Sequence, residues 1–206
     1  MNHISEKIAE LKQIPELGLI LERLEKEMAE EAAKRNEFYA LVHENLKAEF
    51  INGEIIYHSP VMRRHWKVSM KLSKFMSVYI DDNDLGEVGV EKVMISLTRN
   101  DYEPDIVFFS KEKSSKFTKQ QMHFPAPDLV VEILSDSTEK YDRNVKFSDY
   151  ASHGVQEYWI VDPDKNILEQ YINIDNEFQL LHIFSEGILK TETIKGFTLD
   201  IKAIFE

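Results

Sequence analysis

Residues 129–134, Leu129-Val130-Val131-Glu132-Ile133-Leu134, form a nearly continuous apolar run with a single charge inside it. Runs of this kind are typical of central strands that are buried on both faces of a sheet. A carboxylate inside such a strand is unfavourable unless it is paired or bound to a metal ion. The stretch therefore predicts a central strand of an α/β fold, in which Glu132 either serves a metal site or pairs with a lysine or histidine.

A second carboxylate, Asp105, directly follows Pro104 and opens a short apolar strand predicted over residues 105–109. This position directs the side chain toward the edge of the sheet. Two carboxylates on neighbouring strands can share a hard divalent cation, and Mg²⁺ is usually held by one or two of them, with water and phosphate oxygens in its other positions. Spacing alone leaves a metal site and a structural ion pair equally open for these residues.

The helix predicted over residues 138–152 places Asp142, Lys146 and Tyr150 on one face, because they are spaced at i, i+4 and i+8. A lysine beside a metal-bound water could orient the nucleophile or stabilise the charge of the transition state. The alternative is an ordinary surface pair between Asp142 and Lys146, which contributes a few tenths of a kcal/mol. Spacing alone favours the surface pair.

Glu54 and His65 are weaker candidates for the same site. Glu54 follows Asn52-Gly53, the turn signal of a predicted hairpin, and could supply a third acidic ligand. An isolated acid beside a turn, however, is more often a solvated charge. His65 lies among apolar residues of a helix predicted over residues 61–80, where a core or capping histidine is the more common arrangement.

The rest of the pattern alternates short strands with helices, which predicts an α/β domain. Apolar patterning predicts strands over residues 48–51, 54–57, 88–97, 105–109, 129–134, 157–161, 167–172 and 178–184. Helices are predicted over residues 61–80 and 138–152, and near Ile201 at the C-terminus. A polar loop is predicted to follow the strand at 105–109 through about residue 121.

Residues 5–46 predict a helical N-terminus that Pro15 and Gly18 break or begin. An apolar stripe with alternating spacings of four and three residues runs along it, formed by Leu17, Leu21, Leu24 and Met28. The favoured interpretation is an amphipathic helix that lies on its own domain. A short dimerisation coiled coil is the alternative, although barely two heptads support it.

The composition limits the class of protein. The chain has 206 residues and no cysteine, which excludes disulfides, thiolate metal sites and cysteine nucleophiles. No apolar run approaches the roughly 20 residues of a membrane span, and the N-terminus lacks the features of a signal peptide. We therefore expect a cytoplasmic protein. The net charge of -12 counts against tight non-specific binding of nucleic acid, unless bound cations invert the field locally.

Several motifs follow one another in a specific order along the chain. Three segments are EPDIVFF at residues 103–109, PDLVVEILS at 127–135 and EYWIVDP at 157–163. Shorter matches accompany them at Asn52-Gly53-Glu54, Ser59-Pro60, His65, Ser137-Thr138, Asp142, Lys146, Tyr150 and Gly154-Val155. From about Asn36 to Tyr171 this order resembles the family named putative restriction endonuclease, of the Uma type.

The resemblance implies a PD-(D/E)XK nuclease core with the restriction-endonuclease-like fold, a mixed β-sheet flanked by helices. On that pattern Pro104-Asp105 is the PD element and Glu132 is the second acid. Leu134 occupies the position of the pattern's lysine. The family supplies this lysine from the next helix, at a place that Lys146 matches. The resemblance thus implies that Asp105 and Glu132 bind the metal and that Lys146 acts in catalysis.

The leading hypothesis is a Mg²⁺- or Mn²⁺-dependent endonuclease that hydrolyses phosphodiester bonds in DNA. Glu54 would complete the site of Asp105 and Glu132, and Lys146 would position the attacking water. One alternative is a non-catalytic module that keeps the fold and binds nucleic acid or protein. Another is a structural homodimer in which Glu132 and Lys146 form a buried ion pair.

The first 35 residues lie outside the resemblance, so their role rests on periodicity alone. We divide the chain into an N-terminal helical extension, residues 1–35, and a restriction-endonuclease-like nuclease domain, residues 36–206. The exposed apolar stripe expected on the extension leads us to predict a homodimer. We expect no association with membranes.

Overall fold

The computed structural model describes residues 3–42 and 47–206 of the chain. Within these ranges the helices are α1 (His3–Leu11), α2 (Leu17–Leu41), α3 (Arg63–Asp82), α4 (Lys111–Ser114), α5 (Glu139–Asp142), α6 (Val145–Ser152) and α7 (Ile201–Phe205). The strands are β1 (Ala48–Ile51), β2 (Glu54–Tyr57), β3 (Gly86–Val90), β4 (Met94–Ser96), β5 (Asp101–Tyr102), β6 (Ile106–Ser110), β7 (His123–Phe124), β8 (Leu129–Ile133), β9 (Glu157–Asp162), β10 (Ile167–Ile174), β11 (Glu177–Phe184), β12 (Ile188–Lys190) and β13 (Thr198–Asp200). None of the described helices combines the length and apolarity needed to cross a bilayer.

A six-stranded sheet in the order β11-β10-β9-β8-β6-β3 forms the centre of the fold. β8 runs parallel to β9 and antiparallel to β6, so the sheet is mixed. All five residues of β8 are buried, as the apolar run at residues 129–134 predicts for a central strand. The predicted fold class, a mixed sheet flanked by helices with an N-terminal helical segment, is confirmed.

Alternate side chains of β8 face two separate cores. Leu129, Val131 and Ile133 pack against the buried side of α3. Val130 and Leu134 belong to the second core, together with Tyr150 of α6. Because side chains alternate along a strand, Glu132 shares the face of Val130 and Leu134. The sheet thus directs this carboxylate toward α6 rather than toward α3.

A five-stranded sheet in the order β2-β1-β5-β4-β7 lies beside the first. Its β1–β2 hairpin turns at Asn52 and Gly53, whose φ angles of 52° and 83° are both in the left-handed region. Two consecutive residues of this kind make a type I′ turn, which asparagine and glycine favour. The predicted hairpin is therefore confirmed, and it fixes which residues of β1 point toward α6.

The N-terminal helical segment is interrupted. α1 and α2 are separated by residues 12–16, where Pro15 lacks the backbone donor that a continuous helix needs. The predicted end of this segment at residues 43–46 lies outside the described residues. The C-terminal half of α2 packs on the rest of the protein, where Phe38 is buried against Phe50 and Met94.

Two elements that were predicted to be continuous are each divided in two in the structure. The strand expected over residues 88–97 is divided into β3 and β4, because Glu91 adopts a φ of 59° and the chain passes from one sheet to the other. The helix expected over residues 138–152 is divided into α5 and α6, since Asn144 leaves helical geometry with φ -125° and ψ -86°. The single turn α4 occupies the start of the predicted loop, and the short strands β5, β7, β12 and β13 are not evident from the pattern.

Candidate active site

Glu132 lies on β8, and Asp105 directly precedes the neighbouring antiparallel strand β6. β6 and β8 pair with Ile106 opposite Val131, and one further step of this register brings Asp105 opposite Glu132. Both residues are buried, with exposed fractions of 7% and 3%. Like charges directly opposite each other on a sheet are destabilising, so this arrangement needs a compensating cation.

Asp105 is held by groups from three different segments. The Ile133 N–H donates a 2.8 Å hydrogen bond to Oδ2, and Nε2 of His65 lies 3.2 Å from the same oxygen. Nζ of Lys47 lies 3.8 Å from Oδ1. Burial alone would raise the pKa of Asp105, but His65, Lys47 and the Ile133 N–H together lower it. Asp105 is therefore stabilised as a carboxylate.

Lys146 lies in the first turn of α6 and contacts three carboxylates. Its Nζ is 2.9 Å from Oε1 of Glu49, 3.1 Å from Oε1 of Glu132 and 3.1 Å from Oδ1 of Asp142. Burial opposes the charge, but the three carboxylates raise the pKa of Lys146 well above its ordinary value. The surface pair that spacing favours for Asp142 and Lys146 is wrong, because the two residues are only 1% and 2% exposed.

Glu49 is a member of this cluster that the sequence interpretation missed. It points inward from β1, and its Oε1 also accepts a 2.8 Å hydrogen bond from the backbone N–H of Glu103. Nε2 of His58 lies 3.2 Å from Oε2. Burial would raise the pKa of Glu49, yet Lys146 and His58 hold it down at about 2. A charge inside the buried strand Ala48–Ile51 is the sequence feature that could have identified it.

Glu132 remains undercompensated although Lys146 donates to it. The Tyr150 hydroxyl donates a further 3.4 Å hydrogen bond to the same Oε1 atom. Burial raises the pKa of Glu132 well above its ordinary value; Lys146 opposes this shift, and the negative charges of Asp142, Asp105 and Glu49 add to it. One ammonium is thus shared among three carboxylates, with Asp105 as a fourth nearby.

These side chains surround a small cleft. Its volume of about 40 Å³ is enough for water or a small ion. Hydroxyl groups from the loop between β8 and α5 form one side of it. The lining consists of Lys47, His58, Ser59, Val61, His65, Glu103, Asp105, Glu132, Ser135, Ser137, Thr138 and Lys146. The cleft therefore joins charged groups of both signs to a hydroxyl-rich loop.

The prediction that Glu54 completes the site is wrong, and Glu103, to which the sequence interpretation gave no role, lines the cleft instead. Glu54 is exposed on β2 and does not line the cleft, because the hairpin turn carries it to the solvent side. Glu103 lines the cleft and accepts a 3.1 Å hydrogen bond from the Ala48 N–H. Burial raises the pKa of Glu103 to about 7, with Lys47 opposing this shift and Glu49 adding to it.

The donor set limits how a metal could be held. Across residues 3–42 and 47–206, no group of three histidine or acidic side chains is arranged to hold a metal ion. Asp105 and Glu132 could serve as two side-chain ligands, and one or two carboxylates are the usual number for Mg²⁺. Asp105 and Glu132 are the pair that faces both the cleft and each other.

The chain is similar in sequence to several known proteins. The profile of the Uma2 family, described as "Putative restriction endonuclease", matches residues 35–202. The uncharacterized protein sll1609 of Synechocystis sp. is 30% identical over 146 residues, which are 68% of this chain and 81% of that protein. The uncharacterized protein slr1290 of the same organism is 30% identical over 160 residues, 75% of this chain and 82% of that protein.

One solved structure extends the likeness to three dimensions. The crystal structure of a protein from Anabaena variabilis ATCC 29413, described as a putative nuclease belonging to DUF820, matches with a TM-score of 0.71 at 19% identity. The match covers 82% of this chain and 96% of that chain, which establishes a common fold. The family and the structural neighbour both point to a nuclease. The chain belongs to the Uma2 family, the family of putative restriction endonucleases.

Proposed function

We propose that the protein is a Mg²⁺- or Mn²⁺-dependent endonuclease that hydrolyses phosphodiester bonds in DNA. Asp105 and Glu132 are the proposed metal ligands and Lys146 is the proposed catalytic lysine. The observation that carries the proposal is the pair of opposed, buried carboxylates, Asp105 and Glu132, which line one cleft together with Lys146. Glu54 is left out of the proposed site because it is exposed on β2.

The residues fit a hard divalent cation. Carboxylate oxygens are the ligands that Mg²⁺ and Mn²⁺ prefer. The hydrogen bonds to Asp105 and Glu132 use Oδ2 and Oε1, so Oδ1 and Oε2 remain available as ligand atoms. A cation between the two residues would also relieve the repulsion that raises the pKa of Glu132. When bound, such a cation activates water and stabilises negative charge on a phosphodiester.

The chain's own residues prepare this site. The Ile133 N–H and His65 fix the orientation of Asp105 from two sides. Lys146, held near Glu132, is placed to hold the attacking water or to stabilise the charge that develops on phosphate. Because Glu49 and Asp142 anchor the same ammonium, Lys146 keeps its position before a substrate arrives. Preorganisation of this kind lowers the cost of reaching the transition state.

The rival interpretation is that Lys146 and Glu132 form a purely structural ion pair. Their 3.1 Å contact is what such a pair would show. It leaves unexplained why Asp105 lies opposite Glu132 with no equally close ammonium of its own, since Lys47 is 3.8 Å away. A structural pair would predict a stable protein that neither binds divalent metal nor cleaves nucleic acid.

The test is cleavage of plasmid DNA, single-stranded DNA and RNA with Mg²⁺ or Mn²⁺. We expect wild type to cut DNA and Asp105→Asn and Glu132→Gln to lose the activity by roughly 100-fold or more. Glu54→Gln is the matched control, because it removes the same charge outside the cleft. Equal cleavage by Glu132→Gln and wild type would refute the assignment. A wild-type protein that is inactive with both metals on all three substrates would favour the non-catalytic module.

We further propose that residues 1–35 are an extension to a nuclease domain of residues 36–206, and that the extension supports a homodimer. Leu21, Leu24 and Met28 are 47%, 46% and 67% exposed, and such a stripe is costly in a monomer. A cytoplasmic location is proposed from the cysteine-free composition, which suits a reducing compartment. Size measurement and localisation of a tagged protein test these two statements.

A further inference from the structure

α3 carries a strongly basic surface on an acidic protein. Between Arg63 and Ile80 the helix contains five lysines and arginines and no acidic residue, whereas the whole chain has a net charge of -12. The basic residues are Arg63, Arg64, Lys67, Lys71 and Lys74. A positive stripe against a negative background marks a local site for an anionic partner.

Four of these residues form one stripe along the helix. Arg63, Lys67, Lys71 and Lys74 are spaced by four, four and three positions, so they span about 80° of the helix circumference. Arg63 and Lys74 are exposed, and Lys67 and Lys71 are half-buried. None of the four forms an ion pair with another residue in the described ranges. Arg64, at the side of the stripe, is 2.7 Å from Asp164.

An exposed apolar row runs beside the basic stripe. Met62, Trp66 and Met70 follow at i, i+4 and i+8, with exposed fractions of 58%, 41% and 57%. Trp66 in particular presents a ring to solvent next to Lys67 and Arg63. Cations beside an exposed aromatic ring are what proteins use to hold single-stranded nucleic acid, and the same row of cations can contact the phosphates of a duplex.

The stripe begins beside the candidate active site. His65, in the first turn of α3, reaches inward to within 3.2 Å of Asp105, while the basic stripe occupies nearly the opposite side of the same turn. From Arg63 to Lys74 the helix rises about 16 Å. That length corresponds to roughly five base steps of a DNA strand. Ser59, Val61 and His65 line the cleft at this end of α3, so a strand that passes around the start of the helix could reach it.

The packing of α3 argues against a membrane as the partner. The most apolar side of the helix, with Val68, Leu72, Met76 and Ile80, is buried in the core and cannot enter a lipid surface. The exposed apolar side chains of this segment, Met62, Trp66, Met70, Phe75 and Val78, do not form one face, because the line of cations separates the first three from the last two. An amphipathic membrane helix instead needs a broad apolar face to bury in the headgroup region. A linear polyanion matches the stripe better.

We propose that the basic face of α3, formed by Arg63, Lys67, Lys71 and Lys74 with Trp66 beside them, binds the phosphate backbone of DNA and leads it to the Asp105–Glu132 cleft. The proposal rests on the proposed function for the identity of the substrate. It does not require that the cleft be catalytically active, because binding along α3 is separate from the metal ligands.

The experiment measures binding of a short fluorescent DNA duplex in EDTA, so that no cleavage occurs. Lys67→Gln/Lys71→Gln is compared with Lys119→Gln/Lys190→Gln, which removes two charges from exposed positions on other segments. Each phosphate contact contributes about 0.9 to the slope of log affinity against log salt. Between about 50 and 200 mM salt, wild type and the control should therefore lose about 12-fold more affinity than the α3 variant. Trp66 fluorescence should change on binding, and the change should vanish in Trp66→Phe.

Several outcomes would refute the proposal that the basic face of α3 binds DNA. One is identical affinity and salt slope for wild type and the α3 variant, and another is a wild type that does not bind DNA. Binding to anionic phospholipid vesicles, lost in Lys67→Gln/Lys71→Gln and unmatched by DNA, would assign the surface to membranes. The proposed nuclease activity is tested separately. If DNA binding depends on α3 as expected but no divalent metal supports cleavage, the DNA-binding proposal is supported and the catalytic assignment is refuted.

Discussion

Lys146 donates a 3.1 Å hydrogen bond to Glu132 across a separation of 14 residues in the chain. Leu134, which directly follows β8, is the next side chain on the same face as Glu132, so this segment provides no lysine beside its own carboxylate. The ammonium comes instead from the first turn of α6, where Asp142 and Glu49 also contact it. Charge at the candidate site and packing between α6 and the two sheets are therefore coupled. A substitution in this cluster can change stability as well as activity, so experiments must measure the two separately.

Replacing Glu132 should remove metal binding. Glu132→Gln keeps the shape of the side chain and eliminates one of two carboxylates proposed as ligands. Loss of an outer-shell partner alone commonly weakens a metal by about 10- to 100-fold, and loss of a direct ligand should exceed this. Titration calorimetry with Mn²⁺ measures the effect, with Glu54→Gln as the control that keeps the wild-type affinity. Unchanged Mn²⁺ affinity in Glu132→Gln would favour a structural role.

The same replacement should not unfold the protein. Neutralising Glu132 removes a carboxylate whose pKa burial and the neighbouring acids already raise. Asp142 and Glu49 continue to contact the Lys146 ammonium. Thermal unfolding of Glu132→Gln without metal should therefore stay close to that of wild type. Glu132→Ala is the harsher variant, because it also creates a cavity beside β9.

Replacing Lys146 should reduce stability and catalysis together. Lys146→Met removes the ammonium that Glu49, Glu132 and Asp142 share, and breaking a buried ion pair from one side typically costs about 3–5 kcal/mol. Cleavage should fall by roughly 100-fold or more under conditions where the variant is folded. Urea denaturation and a DNA cleavage assay give the two values.

Two comparisons separate these effects of Lys146. Lys140→Met is the matched control, since Lys140 is exposed and its loss should change stability by less than about 0.5 kcal/mol. Adding Glu49→Gln to Lys146→Met removes one of the uncompensated charges, so the double variant should be more stable than the sum of the two single effects predicts. Recovery of stability without recovery of activity would assign Lys146 to the chemistry as well as the fold. Full activity in a folded Lys146→Met protein would exclude it from the mechanism.

Sequence patterns identify single buried charges better than they identify clusters. Glu132 is evident because one carboxylate interrupts a run of six residues, and Asp105 because it opens the next apolar strand after a proline. That the two lie opposite each other depends on the pairing of β6 with β8, which no local pattern specifies. Glu49 was missed because its strand has only four residues. In so short a strand a charge looks like an ordinary solvent-facing position.

Tertiary context also explains the other differences. His65 resembles a core histidine in the helical pattern, and it is indeed 6% exposed, but its Nε2 faces Asp105 rather than a backbone carbonyl. The predicted strand at 88–97 has the correct period on both sides of Glu91, yet its two halves join different sheets. A periodic pattern indicates which face of a strand is apolar. Which other strand pairs with it depends on contacts between residues that are distant in the sequence.

The apolar stripe on α2 should support self-association. Leu21, Leu24 and Met28 are exposed on a helix whose other end is anchored, so a second copy is the surface that we expect to cover them. Replacing all three with serine should convert a dimer into a monomer in light scattering without changing DNA cleavage per folded site. Lys7→Gln/Lys12→Gln, on and just after α1, is the surface control. A wild-type protein that is already monomeric would contradict the predicted homodimer.

Arg35 tests whether α2 belongs to the folded domain or is only an extension of it. The helix passes through the proposed boundary between residues 35 and 36 without a break. The Arg35 guanidinium binds the fully buried Asp101, with Nε–Oδ2 and Nη2–Oδ1 distances of 2.6 and 2.9 Å. It also donates to backbone carbonyls of the loop before β5, at Leu97, Thr98 and Asn100.

Arg35→Ala should therefore lower the free energy of unfolding by about 3 kcal/mol, the lower end of the range for breaking a buried pair, because the Tyr39 hydroxyl still donates to Asp101. Arg23→Ala is the matched control on the same helix. Its pair with Glu27 is solvent-exposed, and i,i+4 pairs of this kind contribute only about 0.3–0.5 kcal/mol. Urea unfolding of both variants measures the difference. If the two variants unfold alike, α2 is a loosely attached extension up to residue 35, and if Arg35→Ala is far less stable, the folded domain begins within α2 before that residue.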